Sequence, residues 1–272
     1  MQKSQFERSF EFRCLARKLM QNYGLLTVRS GSTRLPNKCW LELSGIPVIQ
    51  YVVNRCRESD IEPIICTTTN QSDDKFENFF SSLDIPVFRG SLNNKLKRWK
   101  DCARQYELAD FHSIDVDDPF FDPNSVLASL ELLRNEDLEV VSPTEISSSG
   151  AASVGYSFST NFLIRNEELI DLSEDIEMID QFLQNFQNLK KRILKVSWEE
   201  CPNIRLTLDY PEDYELISLI DRELGENPSR NSIETFLVSR PDLVKINLWR
   251  NTDWANNQEL IRKFQKDFNV NS

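Results

Sequence analysis

The sequence switches repeatedly between two hydrophobic periods, and that alternation constrains the fold more than any other feature. Leu25 to Val28, Ile64 to Thr67, Val87–Phe88, Phe111 to Ile114 and Leu138 to Val141 are short apolar runs that end in polar loop residues. Runs of this length, rich in β-branched residues, read as buried strands. Between them, apolar side chains recur every three or four residues. One stripe is Val48, Ile49, Val52, Val53 and Cys56; others are Phe76, Phe79, Phe80 and Leu83, then Leu96, Trp99, Cys102, Ala103 and Tyr106, then Val126, Leu127, Leu130 and Leu133. Each is the buried face of an amphipathic helix, and Pro47 stands where a first helical turn tolerates proline. Strands alternating with helices make βαβ units on a mostly parallel sheet, which binds ligands at the carboxyl ends of its strands.

Past the fifth strand the pattern loosens. Ser147 to Arg165 is rich in small and hydroxyl residues, and Ile176 to Leu194 reads as helix and then extended chain. An inserted arm is expected there. Ile204 to Leu208 reads as another strand, Asp209-Tyr210-Pro211-Glu212-Asp213 as a strand-to-helix corner, and Tyr214, Ile217, Ile220 and Leu224 as the helical stripe after it. With 40% hydrophobic residues the chain can fill a core, and seven glycines and eleven prolines leave little material for a linker. One domain is expected over residues 24–272. Residues 1–23 read as an extension in which Phe6, Phe10, Leu15 and Leu19 mark an extra helix.

Charge and composition narrow the chemistry. Lys and Arg number 32 against 43 Asp and Glu, a net charge of −11, which argues against a nucleic-acid binder because that task needs a dense cationic face. No stretch approaches the roughly 20 apolar residues of a membrane span, and the charged start lacks the apolar region of a secretion signal. The expectation is a cytoplasmic protein without membrane insertion, its six widely spaced cysteines (Cys14, Cys39, Cys56, Cys66, Cys102 and Cys201) mostly reduced core residues. His112 is the only histidine, so no second one is available for a zinc site. Metal chemistry here is carboxylate chemistry.

Three segments carry candidate chemistry. Directly after the first strand, Arg29-Ser30-Gly31-Ser32-Thr33-Arg34-Leu35-Pro36-Asn37-Lys38 places three permanent cations, hydroxyls and a glycine in ten residues of an acidic protein. A triphosphate needs such a loop, because glycine lets backbone amides approach while Arg and Lys neutralise the oxygens. It is not a Walker A loop, since Asn37 and Cys39 stand where Gly and Ser/Thr would be. Asp115-Val116-Asp117-Asp118-Pro119 follows a strand near the middle of the sheet, and clustered carboxylates there suit Mg²⁺. Asp209 follows Arg205-Leu206-Thr207-Leu208 and would emerge at the same edge, where it can meet Asp117 across a metal. The plainer readings are a polar surface loop, solvated turn residues, and helix N-capping; the last is preferred for Glu212 and Asp213.

In this order the segments resemble the cytidylyltransferases of the CMP-sugar synthetase superfamily. The branch is that of spore coat polysaccharide biosynthesis, related to the CMP-3-deoxy-manno-octulosonate and CMP-N-acylneuraminate synthetases. The resemblance runs from Gly24 to Leu224. It is carried by Arg29 to Lys38, Thr67-Thr68-Thr69-Asn70 with Asp73-Asp74, Phe88-Arg89-Gly90-Ser91, Asp117-Asp118-Pro119 with Asp122-Pro123, and Arg205 to Asp213. It implies a three-layer α/β/α Rossmann-like fold of the nucleotide-diphosphosugar transferase (GT-A-like) type with a mostly parallel mixed sheet. It also implies that Arg29, Ser32, Arg34 and Lys38 bind the CTP phosphates, that Asp117 and Asp209 hold Mg²⁺ or Mn²⁺, and that Thr67, Thr68 and Asn70 lie near the cytosine. Arg89 and Asp115 are the acceptor-side candidates, Arg89 equally as a partner for a nearby acid and Asp115 as a metal ligand or base. Related synthetases dimerise through an inserted arm, which places a homodimer contact in residues 157–194.

The sequence departs from the family pattern at Asn37 and Val116, where glycine is usual, and at Ser113, where arginine is frequent. Asn is the residue after glycine most willing to adopt a positive φ. The activity implied is cytidylyl transfer from CTP to a sugar-acid or phosphonate acceptor. Two other readings remain: a GT-A glycosyltransferase using Asp115-Val116-Asp117 as its metal motif, and a catalytically silent subunit of the same fold. The acceptor is not specified, although Ser147 to Ser153 and Trp249 to Trp254 are candidate linings of its pocket.

Overall fold

Strand β1 (Asn22–Thr27) lies between β4 (Ile61–Thr68) and β6 (Asp110–Asp115) and is parallel to both. A strand flanked on both edges and covered on both faces must be apolar throughout, which is why Leu25 and Leu26 are both fully buried. The computed structural model describes residues 21–144, 150–173, 176, 179–195, 204–253 and 256. The expected extension helix, Cys14, Cys201, Ser147–Ser149 and Trp254 lie outside these residues.

After β1 come a 3₁₀ turn at Lys38–Trp40, the small hairpin β2 (Glu42–Leu43) and β3 (Ile46–Pro47), and helix α1 (Val48–Arg57). The alternation then proceeds much as the periodicity predicts, through α2 (Asp74–Phe80), β5 (Val87–Gly90), α3 (Lys95–Gln105), α4 (Pro123–Asn135) and β7 (Val140–Pro143). Local chemistry sets the starts of α3 and α4: the Asn94 and Asp122 side chains accept the first orphan amides, and Pro123 occupies the first turn of α4. The chain continues through β8 (Ser157–Ser159), α5 (Thr160–Arg165), α6 (Glu167–Leu172), α7 (Ile179–Leu183) and β9 (Lys191–Leu194). Then follow α8 (Pro211–Leu224), α9 (Arg230–Ser239) and α10 (Pro241–Val244).

Among the described residues the main sheet has the order β5-β4-β1-β6-β8-β7-β9, with β8 antiparallel to both neighbours and the other pairs parallel. Leu26, Ile65 and Ile114 face a core shared with α1, α2, α4, α8 and α9, whereas Leu25, Ile64 and Phe111 face α3, α5, α6 and α7. This is the expected three-layer α/β arrangement with a mostly parallel mixed sheet. Cys39, Cys56, Cys66 and Cys102 are free and buried, as expected for core thiols. No helix among the described residues is long and apolar enough to cross a membrane.

Residues 157–194 supply β8 to the interior of the sheet and β9 to its edge. Ser157-Phe158-Ser159 is too short and too hydroxyl-rich to register as a strand. Its Phe158 is nevertheless fully buried and stacks on Phe111 and Phe162. Ser157 is satisfied inside the core by His112 at 2.7 Å and Ser129 at 2.8 Å. One expectation needs correction: Ile204–Leu208 is an extended connector and not a strand. Its apolar residues are buried as the alternation predicts, but the amides of Leu206 and Thr207 reach the Gly150 carbonyl and that of Leu208 reaches Asp117. A ladder needs a neighbouring strand, and these bonds go to loops.

Candidate active site

The loop after β1 is held at both ends. Val28 donates its amide to Cys66 on β4, and two residues later the Ser30 amide donates to Asp73 at 2.8 Å. Asp73 is buried and also accepts the Thr68 hydroxyl at 2.5 Å. Burial pushes its pKa up, but the hydrogen bonds from Thr68 and Ser30 outweigh that and hold the carboxyl below its ordinary value. At the other end Asn37 adopts φ 57°, the left-handed conformation expected of it, and so opens the 3₁₀ turn that begins with Lys38.

That turn delivers Lys38 to two carboxylates. Its ammonium lies 2.6 Å from Asp117 Oδ2 and 2.9 Å from Asp209 Oδ1, and Arg34 Nη2 is 2.8 Å from the same Asp209 oxygen. Asp117 comes from the loop after β6 and Asp209 from the end of the buried connector, so three distant segments meet on one charge cluster. Desolvation pulls the Lys38 pKa down, yet the two aspartates outweigh it and hold the ammonium well above its ordinary value. Asp117 is pushed up by burial and, more strongly, down by Lys38 and Lys95, and stays ionised.

Neighbouring groups fix this geometry. Asp118 accepts the Thr207 hydroxyl at 2.5 Å and the Ser153 amide at 3.0 Å, tying the β6 loop to the connector. Burial, with the Asp117 charge beside it, raises the Asp118 pKa far above the carboxylate range. At the start of α8, Asp213 accepts the amides of Asp209 and Tyr210, both at 2.9 Å, which is the N-terminal capping role expected of it. It is also in a fully buried ion pair with Arg205, with Nε at 2.8 Å and Nη2 at 3.0 Å. Glu212 instead pairs with Arg250.

The other candidates are placed as follows. Asp115 takes Lys95 Nζ at 2.8 and 3.2 Å, while Asp117 takes Lys38, so Asp115 and Asp117 face different lysines and do not close on one D-x-D position. Lys95, whose ammonium also sits 5.1 Å from the Trp99 ring centroid, escapes sequence reading because a lysine on the first turn of a helix carries no signal. Arg89 donates to the carbonyls of Thr68 and Asn70 and pairs with Asp74 and Glu77, which braces the end of β4 and does not bring it to the Lys38 cluster. Thr67 and Thr68 are fully buried, Thr68 acting through Asp73, whereas Asn70 is exposed and caps the turn at Gln71–Asp73. Arg29 is exposed and Ser32 half-buried on the loop itself.

Val116 and Ser113 both point into the interior: Val116 joins the core against α1 and α4, and Ser113 accepts the Tyr156 amide at 3.0 Å. His112 is buried on the sheet between Ser157 and the Val154 carbonyl, and burial pushes its pKa down to about 4. It is a neutral core group with no part in the cluster.

Asp117 and Asp209 offer hard carboxylate oxygens from two segments to a single cation position, now taken by the Lys38 ammonium. That donor set fits Mg²⁺ or Mn²⁺, which takes one or two protein carboxylates and completes its shell with phosphate oxygens and water. No group of three or more His, Cys, Asp or Glu among the described residues forms a closed protein cage for a metal.

Comparisons with known proteins give the family. The family model described as cytidylyltransferase matches residues 24–229, which include every residue of the cluster. The chain is 26% identical over 229 residues to the spore coat polysaccharide biosynthesis protein SpsF of Bacillus subtilis, covering 80% of this chain and 94% of that one. In structure it is similar to a cytidylyltransferase from Leptospira borgpetersenii, with a TM-score of 0.70 at 22% identity, covering 82% of this chain and 97% of the other. It is also similar to a CMP:2-keto-3-deoxy-manno-octonic acid synthetase complexed with CTP, with a TM-score of 0.58 at 17% identity, covering 75% of this chain and 100% of the other.

Proposed function

Because the chain belongs to the cytidylyltransferase family, and is thus a nucleotidyltransferase, we propose that it transfers CMP from CTP to an acidic sugar or phosphonate acceptor in the synthesis of a surface polysaccharide or related glycan. The observation that carries this reading is the convergence of Lys38 and Arg34 on Asp117 and Asp209 at the carboxyl edge of β1 and β6. The names of the polysaccharide-biosynthesis relative and of the CTP-bound synthetase support the same substrate class.

An acceptor oxygen attacks the α-phosphorus in line. The new P–O bond forms as the bond to the β-phosphate oxygen breaks, and pyrophosphate leaves with that electron pair. The protein's share is positioning and charge neutralisation. Arg29, Arg34 and Lys38 bind the triphosphate, Arg34 and Lys38 exchanging an aspartate oxygen for a phosphate oxygen, and Ser32 with the loop amides donates to it. Asp117 and Asp209 would hold Mg²⁺ or Mn²⁺, which would supply Lewis-acid neutralisation of the α-phosphate and the leaving group. Where the acceptor is a hydroxyl, Asp115 takes its proton while Lys95 holds the carboxylate in place.

The test is thermal stability with each nucleoside triphosphate, with and without Mg²⁺. CTP at 100 times its dissociation constant adds roughly 2.7 kcal/mol, and a shift selective for CTP with Mg²⁺ is expected. A shift with a nucleotide sugar alone overturns the reading in favour of a glycosyltransferase, and no shift with any nucleotide favours the silent subunit.

A further inference from the structure

Asp209 sits at the end of a connector, so no sheet ladder fixes it. Its backbone is held by Asp213, and Asp213 is held by Arg205. Both members of that ion pair are gripped by a segment beyond residue 229, where the match to the family model stops. The Asn247 side-chain amide donates to Asp213 Oδ1 at 2.9 Å and to the Arg205 carbonyl at 3.0 Å, and Asn247 is fully buried. Asn251 Oδ1 accepts Arg205 Nη1 at 3.1 Å. Between them, the Arg250 guanidinium lies 4.6 Å from the centre of the Tyr210 ring and pairs with Glu212. Residues 247–251 thus hold four residues of the 205–213 corner, and Arg205 Nη2 is 3.7 Å from Asp209 Oδ2.

We propose that this C-terminal strap aims Asp209, with Asn247 as its positioning residue, so that the site is completed by chain outside the matched core. The inference rests on the reading of Asp209 as a metal-holding carboxylate. A buried ion pair is weak grounds for stability, since desolvation offsets its attraction, but it fixes geometry when every remaining donor and acceptor is matched. Here Asn247 and Asn251 supply partners to the ion pair, while the Asn247 side-chain oxygen itself has none among the described residues. Groups that orient a metal ligand from behind typically contribute one to two orders of magnitude in metal affinity.

The test uses the full chain carrying Asn247→Ala and, separately, Asn251→Ala at a half-buried position. CTP binding is measured calorimetrically with Mg²⁺ and again with a chelator. For Asn247→Ala the Mg²⁺-dependent affinity is expected to fall roughly 10- to 100-fold and the metal-free affinity by less than about twofold, with Asn251→Ala giving a smaller loss of the same kind. Equal losses with and without Mg²⁺, or a lower melting temperature with both affinities unchanged, overturn the positioning role and leave the strap a fold contact. Failure of the wild-type chain to bind CTP with Mg²⁺ overturns the nucleotidyltransferase reading itself, and this inference with it.

Discussion

The Lys38 ammonium lies 2.9 Å from the Asp209 carboxylate although 171 residues separate them in the chain. The contact joins the cationic loop to the acidic corner, and with Arg34 on the same Asp209 oxygen it holds two of the loop's three cations in place. The charges of Lys38 and Arg34 are balanced by Asp117 and Asp209, the carboxylates proposed to hold the metal. Nucleotide and metal are therefore expected to bind cooperatively, each releasing the partner of the other.

Asp209→Ala should keep the fold and abolish Mg²⁺-dependent pyrophosphate release from CTP. Removing one preorganised charge from a transferring phosphoryl group typically costs 10²- to 10³-fold in rate. The check is a coupled pyrophosphate assay over an acceptor panel of sugar acids and phosphonates, alongside circular dichroism. Turnover at the wild-type rate would remove Asp209 from the site.

Asp118→Asn should leave the protein as stable or more stable at neutral pH. Burial and the neighbouring acids raise the Asp118 pKa, so the native state holds a proton that the unfolded chain releases above the ordinary value of 3.8. Wild-type stability is thus diminished by this group as pH rises from 3.8 towards the raised value, and asparagine avoids that penalty, its side-chain oxygen accepting the Ser153 amide and its NH2 donating to the Thr207 hydroxyl oxygen. Urea midpoints of the two proteins at pH 4 and pH 7 test this, the advantage of the variant being larger at pH 7.

His112 makes the fold acid-sensitive in a defined window. Its pKa is about 4 in the native state against 6.5 unfolded, so between these values the unfolded chain binds more protons and stability falls as pH falls. A depression of this size corresponds to about 3 kcal/mol lost by pH 4. His112→Gln should flatten the profile between pH 6.5 and 4 while other groups still titrate, and an unchanged slope would reject the assignment.

Gly155→Ala should destabilise the protein on the order of 3 kcal/mol. Gly155 has φ +85°, and an added Cβ would lie 2.0 Å from the Ser113 carbonyl oxygen. The backbone must approach that closely because the Ser113 hydroxyl accepts the next residue's amide. A chemical-denaturation midpoint close to wild type would show that the turn relaxes.

The helices and parallel strands up to β7, and helix α8, were readable because each is declared by its own neighbours in sequence, as at Val48 to Cys56 or Ile64 to Thr67. The loop from Arg29 to Lys38 was readable for a related reason: a run of cations beside a glycine in an acidic chain has few structural uses. Asp117 and Asp209 could be picked out as residues that follow strand-like runs, even though the run before Asp209 turned out to be a connector. Periodicity reports which side chains are buried, and Leu206 and Leu208 are buried; it does not report what their backbone amides bond to.

What only the tertiary structure decided is which partners those residues have. Ser157–Ser159 becomes an interior strand because His112 and Ser129 satisfy the Ser157 hydroxyl, Arg89 turns to Asp74 and Glu77, and Asp115 turns to Lys95. Asn247 reaches Asp213 from 34 residues away. Hydrophobic pattern and turn chemistry act over a few residues and are written in the sequence one segment at a time. Charge pairing inside a desolvated cluster acts over ångströms of space, and which groups share that space is settled only when the segments pack.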